Sequence, residues 1–167
     1  CDWSSDVCSS DLDYYKKQRK AFLNEARILS SLFDIKEVVK VLDYFEEREN
    51  AYIVMEFVQG ISLRQYLESR NQPMSFTEAW NFLLPVMEAL EKVHQNKLIH
   101  RDISPDNFII KEDGSIKLLD FGSAREYAEE KTMTVLVKKG YAPPEQYSRK
   151  GKQGPWTDIY SICATLY

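Results

Sequence analysis

Three short groups of residues in this chain combine side chains that can do acid–base and metal chemistry. Residues 100–107 have the sequence HRDISPDN and contain Asp102 and Asn107, and Asp120 follows thirteen residues later at the start of the triplet DFG. The third group is residues 140–147, GYAPPEQY. A carboxylate can accept a proton, and carboxylate and amide oxygens are the ligands that Mg²⁺ prefers. Each group alone also fits an ordinary turn, helix cap or strand end, so only their combination indicates chemistry.

The elements ahead of these groups are predicted to be a helix and a β-hairpin. Apolar residues recur at steps of four, three and four, at Phe22, Ala26, Leu29 and Phe33. This spacing follows one face of an α-helix and predicts a helix over residues 16–31. Two apolar runs rich in β-branched residues, 38–45 and 51–58, flank the polar residues 46–50 and predict the hairpin.

The elements around the three groups are predicted to be mostly helical. Residues 62–70 predict a short helix with Leu63, Tyr66 and Leu67 facing inward. Ser75 and Glu78 have the spacing of a capping box, which predicts a long helix to about residue 95. Short strands are predicted at residues 98–99, 108–110 and 115–119. A helix and two strands followed mostly by helices indicate an α+β fold.

The composition is that of an ordinary globular chain. Its 167 residues include 22 Lys+Arg and 26 Asp+Glu, which gives a net charge of −4, and 44% of the residues are hydrophobic. No apolar run reaches the roughly 18 residues that a membrane helix needs, and no basic block is long enough to indicate nucleic-acid binding. Three cysteines and two histidines are too few and too scattered to indicate a disulfide framework or a zinc site.

The first twelve residues, CDWSSDVCSSDL, differ from the rest of the chain. They have no helical or strand period and no features of a signal peptide, and a DNA sequence that encodes them resembles a common sequencing adaptor. We expect residues 1–12 to be a disordered artefact. The chain ends at Tyr167 within an apolar stretch, so we expect both ends to be cut. Without residues 1–12 only Cys163 is left, which favours a reducing compartment.

The order HRDxxxxN, DFG and then PPE in place of APE resembles the signature of protein kinases. A single triplet arises easily by chance, but three in order behind the predicted helix and hairpin are specific. The chain is similar to bacterial eukaryotic-like (Hanks-type) serine/threonine protein kinases over residues 14–167. This resemblance implies a partial protein-kinase-like fold, with part of the N-lobe at residues 13–58 and part of the C-lobe at residues 59–167.

The resemblance implies roles for the chemical residues. Asp102 would accept the proton of a substrate hydroxyl as the general base, and Asn107 and Asp120 would hold Mg²⁺ or Mn²⁺. The metal would bridge the phosphates of ATP and offset the charge that develops during transfer. The implied partners are ATP and a protein substrate, without nucleic acid. The implied location is cytoplasmic, including the cytoplasmic face of a membrane-anchored parent.

Further positions follow from the resemblance alone. ATP-contacting or ATP-supporting positions are Met55 (the gatekeeper), Glu56, Phe57 and Val58 (the hinge), Ile109 (under the adenine) and Glu25 (the partner of a strand lysine). Positions that stack between the lobes of active kinases are Leu29, Val41, His100 and Phe121. Asp158 matches the aspartate that supports the turn at residues 100–101, and Glu145 matches the APE glutamate. Taken alone, an isolated glutamate such as Glu25 is better explained as a solvated helix charge.

The resemblance also implies a phosphorylation switch. Arg101 precedes the general base, and an arginine there pairs with a phosphate in the activation loop of many kinases. Residues 121–139 show no helical or strand period, and an irregular segment of that length is usually functional. Within it, Thr134 occupies the usual position of the phosphate, and Thr132 is the alternative. An unmodified loop threonine is the competing interpretation.

The chain departs from the kinase pattern at three points. No glycine-rich loop and no strand lysine precede Glu25, so we expect the 167-residue chain alone to be inactive and to bind ATP poorly. Ser104 stands where most serine/threonine kinases have a lysine that contacts the transferred phosphate. Lys138 stands where the family usually has a threonine. We predict that Lys138 or Lys139 supplies the missing cation, and two solvated lysines are the alternative.

Two other functions remain open at the level of sequence. Small-molecule phosphotransferases of the aminoglycoside and choline kinase type have an aspartate and an asparagine spaced much like Asp102 and Asn107. Residues 140–147 argue against this class, because they resemble a segment that binds protein substrates. A non-catalytic pseudokinase scaffold is the other alternative. The presence of Asp102, Asn107 and Asp120 argues against it, while the lysine partner of Glu25 is not in the sequence.

Overall fold

The structure is a computed structural model, and it describes residues 5–121, 124–126, 137–148 and 150–167, with side chains from residue 14 onward except those of 125 and 126. The chain divides into two compact units. The first consists of the residues up to Phe33 together with Lys40–Glu56, and the second consists of Asp34–Val39 together with Phe57–Tyr167. The sequence placed the main boundary between residues 58 and 59.

The first unit contains helix α1 (Ser5–Ser30) and the antiparallel strands β1 (Val41–Glu47) and β2 (Asn50–Met55). Only Arg48 and Glu49 separate the two strands, and both have positive φ, 48° and 71°. Two left-handed residues match the right-handed twist of a tight hairpin. The hairpin predicted from the polar residues 46–50 is therefore present.

Helix α1 differs from its prediction at both ends. It begins at Ser5, within the stretch for which the sequence predicted disorder, whereas the apolar period begins only near residue 16. A helix can extend by one backbone hydrogen bond per residue without an apolar face, and periodicity does not detect that extension. Ala26 and Leu29 are buried as predicted, but Phe33 is 61% exposed because the helix ends at Ser30.

In its described residues, the second unit contains three α-helices and two small sheets. The helices are α2 (Leu63–Ser69), α3 (Phe76–Gln95) and α4 (Pro155–Leu166). The strands are β3 (Ile61–Ser62), β4 (Leu98–Ile99), β5 (Phe108–Ile110), β6 (Ile116–Leu118) and β7 (Arg125–Glu126). Strands β3, β5 and β6 form one antiparallel sheet, and β4 pairs with β7. No helix in the described part of the chain is both long and apolar enough to cross a bilayer.

The two predicted helix starts are confirmed by their capping hydrogen bonds. The Ser75 Oγ atom accepts a hydrogen bond from the backbone N–H of Glu78 at 3.2 Å, and the Glu78 carboxylate accepts one from the backbone N–H of Ser75 at 3.0 Å. Ser62 and Gln65 form the same reciprocal pair at the start of α2. Within α2, Leu63 is buried as predicted, whereas Leu67 is 36% exposed, so its predicted inward position was wrong.

The predicted strand over residues 38–45 is split between the two units. Val38 forms a parallel bridge with Leu118, and the backbone N–H of Val39 donates to the carbonyl oxygen of Leu118 at 3.0 Å. Strand β1 begins only at Val41. Val38 and Val39 are almost fully buried as members of the second unit, and their pairing with Leu118 takes the place of pairing within the hairpin.

Candidate active site

The loop of residues 100–104 connects strand β4 to a short 3₁₀-helix, Pro105–Asn107. Leu98 and Ile99 are fully buried, so they fix the start of the loop in the core of the second unit. Arg101 has φ 72°, a left-handed conformation that costs a residue with a side chain about 1–3 kcal/mol. Such a conformation persists only where the surroundings hold it in place. The loop is therefore held by contacts from outside its own sequence.

Asp158 on α4 provides the first of these contacts. Its carboxylate is fully buried and accepts hydrogen bonds from the backbone N–H groups of His100, at 2.9 Å, and Arg101, at 2.8 Å. The ring Nε2 of His94 on α3 lies 2.8 Å from the same carboxylate. Asp158 thus ties two helices to the loop, which agrees with the supporting role that the sequence resemblance implied for it.

Asn107 holds Asp102 directly. Its side-chain Nδ2 donates to the backbone carbonyl of Asp102 at 2.7 Å and to Asp102 Oδ2 at 3.1 Å. These contacts use the amide nitrogen of Asn107 and not its Oδ1 atom. Asp102 is half-buried, and its Oδ1 accepts no hydrogen bond from the described residues. One oxygen of the carboxylate is oriented while the other can accept a proton.

Asp120 is brought to the same place by backbone hydrogen bonds of its neighbour. The N–H of Leu119 donates to the carbonyl of Asn107 at 2.8 Å, and the carbonyl of Leu119 accepts from the ring Nε2 of His100 at 2.8 Å. Asp120 itself is exposed and has a left-handed φ of 58°. The backbone of Leu119 therefore anchors the residue next to Asp120 to the segment that carries Asp102 and Asn107.

His100 is a buried, neutral member of this loop. Its Nε2–H donates to Leu119, so Nδ1 must be unprotonated to accept the N–H of Asp102, which lies 3.2 Å away. Its ring packs edge-on against Phe121, with centroids 4.4 Å apart. Burial lowers the pKa of His100 below its ordinary value of 6.5, and the negative charge of Asp158 only partly opposes this effect. Burial and the N–H of Asp102 at Nδ1 favour the neutral ring, and the hydrogen bond to Leu119 opposes them only in part.

The lowered pKa predicts that acid destabilises the protein through His100. Above about pH 6.5 the ring is neutral in the folded and unfolded states. As the pH falls below that value, the unfolded state binds a proton more readily than the folded state, so the free energy of unfolding falls. We expect His100→Gln to lose less stability than the parent protein between about pH 7.5 and about pH 5.5 in urea denaturation. An equal loss in both proteins would contradict the prediction.

Lys138 and Arg64 together hold Asp106, which lies between Asp102 and Asn107 in sequence. The Nε of Arg64 contacts Asp106 Oδ1 at 2.8 Å, and the Nζ of Lys138 contacts Asp106 Oδ2 at 2.6 Å. The guanidinium of Arg64 also donates to the hydroxyl of Tyr141 at 3.2 Å. Arg64 and then Lys138 keep the pKa of Asp106 below its ordinary value, so this carboxylate stays charged.

Ser104 and Lys139 are the other two residues of the predicted cation exchange, and their surroundings differ from those of Lys138. Ser104 is fully buried, and its hydroxyl has no hydrogen-bond partner among the described residues. It carries no charge and cannot replace the lysine of the family. Lys139 is exposed and forms no ion pair within the described part of the chain. Of the two lysines that the sequence proposed, Lys138 is the one that forms an ion pair with a described residue of the segment 100–107, namely Asp106.

Gln146 makes a contact that the sequence analysis missed. It lies in the short 3₁₀-helix Pro144–Tyr147, is 1% exposed, and donates from Nε2 to the carbonyl oxygen of Arg101 at 2.8 Å. The neighbouring Glu145 accepts a hydrogen bond from the Thr157 hydroxyl at 2.9 Å. An uncharged glutamine next to a family motif gives no signal in a single sequence, because only the fold brings it to Arg101.

The positions that the resemblance assigned to ATP lie in both units. In the first unit, Glu25 is buried, with 8% exposure, and Met55 is 45% exposed. Glu56 of that unit binds the backbone of Lys40 through both its N–H and its carboxylate. The remaining positions, all in the second unit, are Phe57, which is 92% exposed, and Val58 and Ile109, which are half-buried. The burial of Glu25 argues against the solvated-charge interpretation of that residue.

The other predicted positions have mixed outcomes. Leu29 and Phe121 are buried, and Val41 is half-buried. Thr132 and Thr134 lie outside the described residues, so the structure does not bear on the phosphorylation prediction. Within the described residues, no group of three or more His, Cys, Asp or Glu side chains is arranged to hold a metal. An Asn107–Asp120 site therefore depends on one carboxylate and one amide oxygen, with phosphate oxygens and water as the other ligands.

Comparison with known proteins points to one family. A family model described as "Protein kinase domain" matches residues 9–167. The chain is 37% identical over 151 residues to the serine/threonine-protein kinase PrkC of Bacillus subtilis, covering 89% of this chain and 23% of PrkC. It is 35% identical over 149 residues to the serine/threonine-protein kinase PknL of Mycobacterium tuberculosis, covering 87% of this chain and 37% of PknL.

A solved structure of the protein PpkA-294 in its apo form matches the fold. It superposes with a TM-score of 0.69 at 34% identity, covering 90% of this chain and 53% of that one. The chain thus spans about a quarter to a third of these two curated relatives and about half of the solved structure.

Proposed function

Because the chain belongs to the protein kinase family, we propose that it carries the catalytic loop of an enzyme that transfers the γ-phosphoryl group of ATP to serine or threonine hydroxyls of proteins. The observation that carries this proposal is the Asn107 side chain, which binds both the backbone and the carboxylate of Asp102. Phosphoryl transfer depends mainly on positioning and charge neutralisation, and this contact orients one member of the site through another.

Asp102 is proposed as the general base. Its Oδ2 is held by Asn107, and its Oδ1 accepts no hydrogen bond from the described residues, so Oδ1 can receive the proton of a substrate hydroxyl. The half-buried position leaves the carboxylate open to a substrate while limiting its freedom to rotate. A positioned base of this kind contributes about 10²–10⁴-fold to a rate.

Asn107 and Asp120 are proposed to hold Mg²⁺ or Mn²⁺ together with ATP. The donor set fits a hard cation, because the Asn107 amide nitrogen is used by Asp102 and its oxygen is left for a ligand, while Asp120 is exposed. When bound, the metal would neutralise the phosphate oxygens. The protein residues orient this site through the Leu119–Asn107 backbone hydrogen bond.

The proposed substrate is a protein. The proposed location is the cytoplasm, where ATP is found, including the cytoplasmic side of a membrane that anchors the parent protein. The similar proteins are named as serine/threonine-protein kinases. Residues 140–147 also contact the catalytic loop through Gln146, which supports a segment that presents a protein substrate to the base. No finding favours a small-molecule phosphotransferase or a non-catalytic scaffold.

The function is tested with the full-length gene product, γ-labelled ATP, Mg²⁺ and a generic protein acceptor. We expect acid-stable phosphoserine or phosphothreonine that depends on the metal. The 167-residue chain alone is expected to give no product, because its sequence contains neither a glycine-rich loop nor a strand lysine ahead of Glu25. A folded full-length product that transfers no phosphate with Mg²⁺ or Mn²⁺ would contradict the proposed function.

Lys138 is proposed to supply the cation that Ser104 cannot. Its Nζ is held 2.6 Å from Asp106, whose own charge is also shared with Arg64, so two cations face one carboxylate beside the catalytic loop. We expect Lys138→Ala to lower kcat/KM by about 10- to 100-fold, below the loss of a fully buried transition-state donor because Lys138 is one-third exposed.

The control for this substitution is Lys139→Ala. Lys139 is the adjacent lysine, exposed and without an ion pair in the described part of the chain, so its removal changes the net charge equally. Equal kcat/KM values for Lys138→Ala and the parent enzyme would rule out the catalytic role of Lys138. Equal losses in both variants would show a general charge effect instead.

Phosphorylation of Thr134, or of Thr132, is proposed to order the segment that contains it. The proposal rests on Arg101, whose position before the general base suits a phosphate partner. Phosphopeptide mass spectrometry after autophosphorylation tests it, and the absence of phosphate on both threonines would contradict it.

A further inference from the structure

The peptide bond between Arg101 and Asp102 is held at both of its polar groups. Its carbonyl oxygen accepts a hydrogen bond from Gln146 Nε2 at 2.8 Å. Its N–H donates to Nδ1 of His100 at 3.2 Å. Because a peptide unit is planar, fixing both the carbonyl and the N–H fixes the orientation of the whole plane. This plane leads directly into the Cα atom of Asp102, so its orientation sets the direction of the carboxylate.

The conformation that this peptide bond follows is strained. Arg101 has φ 72°, and the carboxylate of Asp158 accepts a hydrogen bond from its N–H at 2.8 Å. Asp158 accepts the N–H of Arg101, and Nδ1 of His100 accepts the N–H of Asp102. Among the described residues, Gln146 is the donor to the carbonyl of Arg101. Without the Gln146 contact, the carbonyl would be buried with no donor, and the plane could rotate toward a relaxed geometry.

Gln146 is placed for this contact by its own segment. It is 1% exposed, and its backbone N–H donates to the carbonyl of Pro143 at 3.0 Å within the short helix Pro144–Tyr147. A carbonyl oxygen can only accept, so the side-chain atom facing Arg101 must be the amide nitrogen. The Oε1 atom has no hydrogen-bond partner among the described residues. The side chain is thus kept in place for one directed contact.

We propose that Gln146 is a positioning residue for the general base, which orients Asp102 by holding the carbonyl of Arg101. The inference rests on the proposed kinase function for its catalytic consequence. If Gln146 has this role, the Asp102 carboxylate points in the correct direction only when residues 140–147 are in place. A displacement of that segment would turn the peptide plane and misplace the base, while the ATP-binding positions would not change.

The test compares Gln146→Leu and Gln146→Glu in the full-length gene product with the parent. Leucine removes the amide at similar size, and glutamate keeps the shape but replaces the donor by an acceptor. We expect kcat to fall about 10- to 100-fold in both variants, because misplacement of a catalytic group by about 1 Å costs on this order. KM for ATP is expected to stay within about twofold, since the contact orients the base and does not touch the nucleotide.

Gln153→Leu is the matched control. Gln153 is a second buried glutamine of the same unit, 5% exposed, and neither its amide nitrogen nor its oxygen has a partner among the described residues. Its replacement removes the same group from a similar environment without touching the loop. Equal falls in kcat for the Gln146 and Gln153 variants would overturn the proposal, as would an unchanged kcat in the Gln146 variants.

Hydrogen exchange gives a readout that does not depend on activity. The Asp102 amide lies in the held plane, so peptides that cover residues 100–104 are expected to exchange faster in the Gln146 variants, while peptides from α3 do not change. Unchanged exchange would overturn the positioning role even in an inactive protein. An inactive parent with faster exchange in the variants would contradict the kinase function and leave the contact supported. Gln146→Asn, which keeps the amide donor, serves if the larger changes prevent folding.

Discussion

Replacing Asp102 with asparagine is expected to lower kcat by about 10²–10⁴-fold, the contribution of a positioned general base. Asparagine keeps the shape of the side chain and can still accept the Asn107 hydrogen bond through its oxygen. It cannot take up the proton of a substrate hydroxyl. We therefore expect the fold and the affinity for ATP to stay close to those of the parent, while phosphate transfer is lost.

The measurement is the initial rate of labelled phosphate transfer by the full-length gene product at saturating ATP. Glu112→Gln is the control, because Glu112 is an exposed acid in a turn of the same unit and its replacement also removes one negative charge. We expect the control to keep the parental rate. A fall of less than about threefold in Asp102→Asn would contradict the assignment of Asp102 as the base.

Asp158→Ala is expected to have the largest effect on stability, about 3–5 kcal/mol, the lower part of what three buried donors lose at about 1–3 kcal/mol each. The carboxylate is fully buried and satisfies two backbone N–H groups and the ring of His94. Alanine leaves these donors buried without an acceptor, and each such group costs about 1–3 kcal/mol. The left-handed turn at Arg101 also loses the contact that holds its N–H.

Urea denaturation of the full-length gene product measures this loss, with an unchanged slope showing that the unfolding transition is the same. Asp34→Ala is the control, because Asp34 is an exposed aspartate in a turn of the same unit. Surface substitutions of that kind change stability by less than about 0.5 kcal/mol. A loss below about 1 kcal/mol in Asp158→Ala would show that the buried hydrogen bonds do not hold the loop.

Much of the local structure was predictable because it depends on neighbouring residues. The capping box of Ser75 and Glu78 and the turn at residues 46–50 are short-range patterns, and both are present. The strand predicted over residues 38–45 was wrong in its bounds, because Val38 pairs with Leu118, eighty residues away. A periodic pattern indicates that a residue is buried, but it does not indicate which other residues pack or pair with it.

The family, and the residues that we propose to do the chemistry, follow from the sequence alone. The order of HRDISPDN, DFG and PPE is a property of the chain, and it names Asp102, Asn107 and Asp120. The same comparison of motifs showed that Ser104 stands where most serine/threonine kinases have a positively charged lysine. It also singled out Lys138 and Lys139 as the two residues that can supply this charge instead.

How these residues are held is visible only in the folded chain. The fold separates Lys138, paired with Asp106, from Lys139, which is exposed, and it brings Gln146 to the carbonyl of Arg101. The cause is distance along the chain. A strained loop is stable only when buried groups satisfy its backbone, and here those groups come from residues 45 and 57 positions away, which no local pattern can reveal.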